Sequence, residues 1–583
     1  MSDTNPTQAI PTDASHAWRD VLLLVVLLAV FFGFELGGRA LWHPDEGRYS
    51  EIPRAMVASG DYVTPRLNGV KYFEKPALFY WMQAGSIKLF GMNEWALRLW
   101  PALLALAGCL AVYGAGRKLF GRRAGLIAAI VLATSPLYYL LARIITLDMA
   151  VSVLLTGALL SFLLGVREPP GRTRSLYLYT FYALCAAATL TKGLIGIVIP
   201  AMVIGAWIVL LWDWRLLRTI HLPTGLLLFF ALAAPWHVLA ARANPEFAQF
   251  YFIHEHFQRY LTTVHMRYQP WWFFLPVLVL GMLPWIGLLF PALRTSMRSH
   301  AISAIPGGQA LRAGIPRWQT RHAHREELFL LLWAGLVFAF FSVSGSKLIP
   351  YILPMLPPLA LLLGRYLAHA DSVPKSKGLR SGFWLFLVAT AALGAYLTVV
   401  LAQRPDAQAS VLRLGSGVYL MLAGLLLATL AHFFLGRLAT VTRPLAVLAA
   451  GAALLVLALG AALPALDDKY SVKALALELK ARLLPTDEVT TLRAYYQDLP
   501  VYLARRITVV DWKGELEFGA SQEDVSGWMI GAAEFRRRWQ SRNTVYMITE
   551  RENLDWLRAQ GLSHHVLKAT GDNVLLSNRE PVS

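Results

Sequence analysis

Apolar residues along this chain come in long blocks, not in the strict alternation of a half-buried strand or the narrow stripe of a surface helix. A helix that crosses a membrane needs about 20 apolar residues, with about 17–25 tolerated. Blocks of that length stand near 20–37, 97–116, 124–142, 147–165, 176–191, 193–212, 222–241, 271–293, 327–343, 349–368, 381–402, 413–435 and 444–466. They predict a polytopic α-helical membrane protein with about thirteen transmembrane helices. The 349–368 block is Pro-rich and the least regular. A further run, 77–90, is only about 14 residues long and is interrupted by Gln83 and Lys88, a length that suits an interfacial helix.

The basic residues orient the blocks. Loops after every second block carry most of the Lys and Arg, for example Arg117, Lys118, Arg122 and Arg123, or Arg365, Lys375, Lys377 and Arg380. The intervening loops carry single charges such as Arg143, Lys192 and Lys347. The positive-inside rule then places the N-terminus in the cytoplasm and everything after Leu466 outside. Treating 77–90 as a span would put Arg117–Arg123 outside, against this bias, so it is expected on the outer membrane surface.

Composition agrees. The chain is 56% hydrophobic and 15% charged, against about 25% charged in ordinary soluble chains. Its formal charge of +18 argues for contact with anionic lipid, not nucleic acid, because the cations sit in short loops between apolar blocks. Cys109 and Cys185 lie inside apolar blocks and read as core filler. Met1 to Ala17 is polar and has no basic region before the first block, so a cleaved signal peptide is not expected.

Residues 1–466 therefore form a transmembrane domain with two sizeable outer pieces, 38–95 and 242–270, and the tail 467–583 has the composition of a soluble domain. In the tail, 488–495, 506–512, 544–550 and 564–570 read as strands, and 473–483 and 551–561 as helices. A small α/β domain is expected there. The basic stretch 294–326 reads as a loose cytoplasmic loop, and no internal repeats are visible.

The first outer piece carries the candidate chemistry. In WHPDEGRYSEIPRAMVASGDY, Asp45, Arg48 and Tyr49 share one face of a helix, and Gly60 is a stop signal. Tyr49, Ile52 and Met56 form an apolar stripe expected to lie on the bilayer. Glu74 and Lys75 stand just before the 77–90 run. A merely solvated face would carry similar charges, and an Asp45–Arg48 pair alone is worth about 0.2–0.5 kcal/mol. Four more charges are expected at the same level: Arg143, Asp148, Lys192 and Lys347. Charges near membrane depth are expensive and mark sites. Several cations beside two acids suit an anionic substrate with a phosphate leaving group. In the second outer piece, Arg259 and Arg267 fit the same cluster. His254, Glu255, His256 and His265 are zinc-type donors, but His254 and His256 are two apart and diverge on a helix. Trp271 and Trp272 read as interfacial anchors.

The string HPDEGRYSEIPRAMVASGDYVTPRLNGVKYFEKPALFYW at 43–81 resembles the first periplasmic loop of the lipid-A aminoarabinose transferases. These belong to the C-type glycosyltransferase superfamily, together with the protein O-mannosyltransferases. The similarity continues through RIITLDMA, TKGLIG and FIHEHFQRY, and the tail matches in type and position. The resemblance implies an inverting pentosyltransferase at the periplasmic face of the bacterial inner membrane. Its donor would be undecaprenyl phosphate-4-amino-4-deoxy-L-arabinose and its acceptor a lipid A phosphate, with resistance to polymyxin and cationic peptides as the consequence. Carried over residue by residue, Asp45 is the catalytic acid, Asp148 the second acidic position, and Arg48 their companion. Lys75 would bind the donor phosphate with Arg259, and Tyr49, Tyr72, Arg143 and Lys347 are further candidate substrate contacts. No cofactor is required, although Glu74 and His256 are candidate ligands for a divalent metal such as zinc. The competing expectations are another transferase of the superfamily, O-mannosyltransferase-like or glycan-modifying, and a lipid-linked sugar transporter. A transporter should show repeats and broken midplane helices, and the informative charges here cluster at one face.

Overall fold

The computed structural model describes residues 14–258, 269–304, 324–368 and 442–580, with three isolated positions between 384 and 395. Within them the apolar blocks become helices whose inward faces share one core. Six are long and apolar enough to cross a membrane: Glu94–Phe120, Leu147–Gly165, Leu222–Ala243, Arg325–Val343, Ile349–Ala368 and Leu448–Tyr470. The helices Ala14–Gly33, Arg172–Lys192 and Ile195–Leu211 also coincide with expected blocks. The protein is a polytopic membrane protein. The expected spans at 381–402 and 413–435 lie outside the described residues.

Two blocks are broken. The 124–142 block divides into Arg122–Ala133 and Pro136–Leu141, because Pro136 has no N–H to continue the ladder. The Ser135 N–H shifts to the Leu132 carbonyl at 3.2 Å, and the Ser135 hydroxyl donates to the Val131 carbonyl so freed at 2.7 Å, which keeps the break satisfied inside the bundle. The 271–293 block, expected as one span, is a pair of helices bent by 109° between Gly281 and Ile286. Pro284 again interrupts the ladder. Trp285, fully buried in this elbow, donates its indole N–H to Thr134 Oγ1 at 3.0 Å, which ties the two breaks together.

The first outer piece comprises the helix Asp45–Ser59, the hairpin of β1 (Arg66–Leu67) and β2 (Val70–Lys71), and the helix Leu78–Phe90. Gly60 ends the first helix at φ 76°, its N–H on Met56 O, as its position in the sequence suggests. The Tyr49, Ile52, Met56 stripe does not lie on the bilayer. It is buried with Phe79 and Tyr80 and with Tyr495, Val501, Val509 and Leu516 of the tail. The tail supplies the apolar cover that lipid was expected to provide, and burying such side chains is worth about 1.5–3 kcal/mol each. Leu78–Phe90 is a 13-residue helix, with Phe79, Tyr80, Gln83, Ala84 and Ser86 buried.

The tail folds around a mixed six-stranded sheet in the order β5 (Met529–Ile530), β4 (Thr508–Val510), β3 (Glu488–Leu492), β6 (Val545–Glu550), β8 (Asn573–Ser577), β7 (His565–Thr570). β3 is parallel to β4 and β6, while β8 is antiparallel to β6 and β7. The expected strands and the helices Lys473–Lys480 and Asn553–Ala559 are present. β5, β8 and the helices Leu499–Leu503, Glu517–Gln522 and Ala532–Trp539 were not anticipated.

The tail is seated on the first outer piece. Asn68 exchanges two 2.9 Å hydrogen bonds with the Ile507 backbone, and Trp528 donates to Asn68 O at 3.0 Å. Arg66 pairs with Glu523 at 2.8 Å. Asp467 accepts from the Ala40 N–H at 2.9 Å and the Trp42 indole at 2.8 Å. Gly47 marks a close approach of the two: a Cβ there would lie 2.4 Å from Asp498 N and 2.5 Å from Gln497 C. The glycine of DEGRY is thus demanded by the tail backbone, not by its own helix.

Candidate functional site

Pro44 precedes the helix Asp45–Ser59, and its first turn holds two acids, which favour the positive end of the helix dipole. Successive helical residues diverge by about 100°, so the two have different fates. Glu46 turns inward and is buried. It takes Arg39 at 2.5 and 2.8 Å and Arg98 at 3.0 Å twice, plus the N–H groups of Trp42 and Ile145 at 3.1 Å each. Burial pushes its carboxyl up, but Arg39 and Arg98 more than reverse this and hold it at about 2. This hub joins the end of the first span, the start of the second and the 143–147 turn.

Asp45 turns outward, its side chain 50% exposed, and lies 3.2 Å from Arg48 Nη1. The other Arg48 terminal nitrogen is 2.5 Å from Glu515 Oε2 of the tail. Glu515 also accepts from Gln497 at 2.5 Å, and the Tyr72 hydroxyl is 3.5 Å from it. Burial raises the Glu515 pKa, with Arg48 opposing. The Arg48 guanidinium sits 5.8 Å and 5.9 Å from the ring centres of Tyr49 and Tyr72, within cation–π range. Its Nε is buried and has no hydrogen-bond partner among the described residues, as is the Tyr80 hydroxyl.

Tyr49 packs on Tyr80 and edge-on to Phe79, at 6.2 and 6.5 Å. Burial raises its pKa, and the charges of Asp45, Glu74 and Asp148 push it the same way, with Arg48 opposing. Three acids, at 45, 74 and 148, thus act electrostatically on one phenol. Asp148, in the first turn of Leu147–Gly165, is ion-paired with Lys192, whose ammonium lies 5.0 Å from the Tyr351 ring centre. Lys75 donates to Glu74 O at 2.7 Å.

The structure thus brings together Asp45, Arg48, Tyr49 and Tyr72, with Glu74 and Asp148 close enough to act electrostatically on Tyr49. It uses two candidates otherwise. Arg143 is buried and donates to the carbonyls of Glu35 at 2.8 Å and Phe32 at 3.3 Å, closing the end of the first span. Lys347 donates to the carbonyls of Ser344 at 2.6 Å and Gln269 at 2.9 Å. Arg259, His265 and Arg267 lie outside the described residues, and so do the side chains of His254, Glu255 and His256 on the π-helical run Gln249–Gln258. Among the described residues no three His, Cys, Asp or Glu side chains group as a metal site.

Glu46 and Glu515 are the residues that sequence reasoning missed. Glu46 had a signal, since the lone outer arginines Arg39 and Arg98 had no assigned partner. Glu515 had none, lying more than 400 residues from Arg48 in a stretch without a motif. Chemically, a half-exposed carboxylate stands beside phenols and cations at the outer end of a helical bundle, an arrangement able to hold an anion against a polyhydroxylated group.

Two family models match the chain: dolichyl-phosphate-mannose-protein mannosyltransferase over residues 74–238, and aminoarabinose transferase C-terminal domain over 475–578. An undecaprenyl phosphate-α-4-amino-4-deoxy-L-arabinose arabinosyl transferase of Erwinia tasmaniensis is 30% identical over 97% of this chain and 96% of its own length. The relative of the same name in Edwardsiella ictaluri is 32% identical over 65% of this chain, and that match spans 64% of the relative's length. The crystal structure of ArnT from Cupriavidus metallidurans bound to undecaprenyl phosphate superposes with a TM-score of 0.80 and 30% identity, covering 97% of this chain and 99% of that one.

Proposed function

The chain belongs to the undecaprenyl phosphate-4-amino-4-deoxy-L-arabinose arabinosyl transferases, and from that membership we propose that it moves the aminopentose from undecaprenyl phosphate to a phosphate of lipid A. The observation that carries this is Arg48, which holds the half-exposed Asp45 on one side and Glu515 on the other, between the rings of Tyr49 and Tyr72. The relatives' names and the undecaprenyl phosphate held by the Cupriavidus protein support the donor. Modification of lipid A phosphate lowers surface negative charge, which accounts for resistance to polymyxin and other cationic peptides.

The acceptor phosphate monoester is already largely ionised near neutrality, its second pKa being about 6. It attacks the anomeric carbon without a general base. The new bond joins that carbon to the acceptor oxygen, the bond to the polyprenyl phosphate oxygen breaks, and undecaprenyl phosphate leaves with the electron pair. A single displacement inverts the anomeric centre. Asp45 stabilises positive charge developing at that carbon or holds the sugar amine, with Arg48 fixing the carboxylate. Lys75 and Arg259 bind the departing phosphate. Lys192 holds Asp148 as the second acid. Tyr49 and Tyr72 border the sugar. No cofactor takes part in these steps, and Glu74 with His256 would be the place for a divalent metal.

The proposed topology has about thirteen spans, a cytoplasmic N-terminus, and a periplasmic site and C-terminal domain from about residue 467. A C-terminal reporter active only in the cytoplasm is then expected to stay silent, and strong activity would refute the orientation. For the function, reconstituted protein with donor and lipid A should yield a pentosamine adduct on lipid A. Lys75→Ala should reduce transfer about a hundredfold, the scale for losing one charge-stabilising contact, with folding intact. Near-normal transfer by that variant removes Lys75 from the donor site, and transfer to a protein hydroxyl in place of lipid A would favour the O-mannosyltransferase-like alternative.

A further inference from the structure

Among the described residues, Phe518 is the one apolar tail side chain packed against the hydrophobic core of the membrane helices. It lies on the short helix Glu517–Gln522, two residues beyond the turn that carries Glu515. Its ring stacks on Phe250 with centres 3.7 Å apart and planes 18° apart. It also meets Phe73 at 6.5 Å and 68°. Phe73 is fully buried and immediately precedes Glu74 and Lys75. Phe250 is the second residue of the π-helical run Gln249–Gln258. Single π-turns are rare and recur at functional sites. One ring from the tail therefore meets both outer pieces, next to Glu74 and Lys75 in the first and at the start of the Gln249–Gln258 run in the second.

The neighbouring contacts give this ring little freedom. A Cβ at Gly519 would lie 2.3 Å from Lys71 O and 3.0 Å from Lys71 N, so the Glu517–Gln522 backbone rests directly on β2. Lys71 in turn reaches across to Glu246 at 2.7 Å, joining the hairpin to the second outer piece. Phe73 meets Phe247 at 5.2 Å on the same route. The hairpin and the start of the second outer piece are thus joined directly by Lys71–Glu246 and Phe73–Phe247, and Phe518 adds a ring from the tail to that junction.

We propose that Phe518 is a positioning residue for the polyprenyl-phosphate donor, holding the Phe73–Lys75 segment and the Phe250 end of the second outer piece at a fixed separation by its stack on Phe250 and its edge contact with Phe73. This rests on Lys75 binding the donor phosphate. Phe518 does not touch the reacting atoms; it acts through backbone that carries groups which do. The start of the second outer piece is held to the first by Asn244 on Thr64 at 3.0 Å, Glu246 on Lys71 and Phe247 on Phe73, and the Phe518 stack on Phe250 is the next contact along the chain.

The test compares wild type, Phe518→Leu, which keeps apolar volume but loses the stack, and Phe518→Tyr, which keeps the ring. All are purified as full chains in detergent and measured in two ways: direct binding of undecaprenyl phosphate, and transfer kinetics with donor and acceptor varied separately. Phe518→Leu is expected to weaken undecaprenyl phosphate binding and raise the donor KM about tenfold, with acceptor KM and kcat within about twofold, on the principle that uniform binding is lost without loss of transition-state contacts. Phe518→Tyr should restore both. Wild-type donor KM in folded Phe518→Leu overturns the inference. So does a fall in folded yield whose surviving protein binds donor normally, since that is the signature of a packing residue alone. Wild-type protein that binds undecaprenyl phosphate while Phe518→Leu matches it refutes the positioning role only. Wild-type protein that neither binds nor transfers refutes the donor assignment itself.

Discussion

Asp45→Asn is expected to yield folded, membrane-inserted protein whose transfer falls by a factor of about 10²–10³, the range seen when one charge-stabilising group is removed from a transition state. The substitution keeps the shape and one hydrogen-bonding oxygen and removes only the charge. Asp45 is half exposed, and its partner Arg48 keeps Glu515 at 2.5 Å, so the fold does not depend on it. If Asp45 were no more than a surface ion pair, its loss would cost about 0–1 kcal/mol of stability and leave turnover nearly untouched. Donor binding should be retained, because Lys75 and Arg259, and not Asp45, are the residues proposed to contact the phosphate. Transfer near the wild-type rate would end the catalytic assignment and make Asp148 the next acid to test.

Its neighbour should behave in the opposite way. Glu46→Gln is expected to cost about 3–5 kcal/mol of stability, the scale for breaking a buried charge network by removing one partner. Arg39 and Arg98 would be left buried without a counter-charge, and the first outer piece would lose its link to the 143–147 turn. The expected signature is a fall in monodisperse protein after extraction and a lower thermal midpoint, against a near-normal midpoint for Asp45→Asn. The same network predicts a pH response. The Glu46 carboxyl sits at about 2 in the fold against an ordinary 4.5. Its contribution is therefore present above pH 4.5 and lost as pH falls from there toward 2. A Glu46→Gln protein as stable as wild type, with an unchanged acid limb, would remove Glu46 from the structural hub.

The helices were legible because their signal is long and local: about 20 apolar residues in a row have few other uses. What periodicity could not show was how those helices break. The elbow at Gly281–Ile286 and the interruption at Thr134–Ser135 depend on a proline each and, at the latter, on the Ser135 hydroxyl that takes up the Val131 carbonyl, which a hydropathy window averages away. The Tyr49, Ile52, Met56 stripe was correctly seen as apolar and wrongly assigned to lipid, since a stripe does not say what covers it. Among the site candidates, Asp45, Arg48, Tyr49, Tyr72, Glu74, Lys75 and Asp148 stand out in the sequence because they cluster in motifs. Glu515 could not, because its role exists only once the tail docks. Gly47 was the overlooked clue to that docking: a glycine in the first turn of a helix needs a reason, and here the reason is the Gln497–Asp498 backbone pressed against it. Arg143 and Lys347 show the converse, cations at the expected level whose donors serve backbone carbonyls.

The measurement that bears most directly on the central claim is mass spectrometry of lipid A from a cell that makes the undecaprenyl-phosphate-linked aminopentose, with and without this protein. The account predicts a pentosamine on lipid A phosphate when wild-type protein is present, and its loss both when the protein is absent and when it carries Asp45→Asn. Lipid A identical in all three, with the donor accumulating equally, would contradict it.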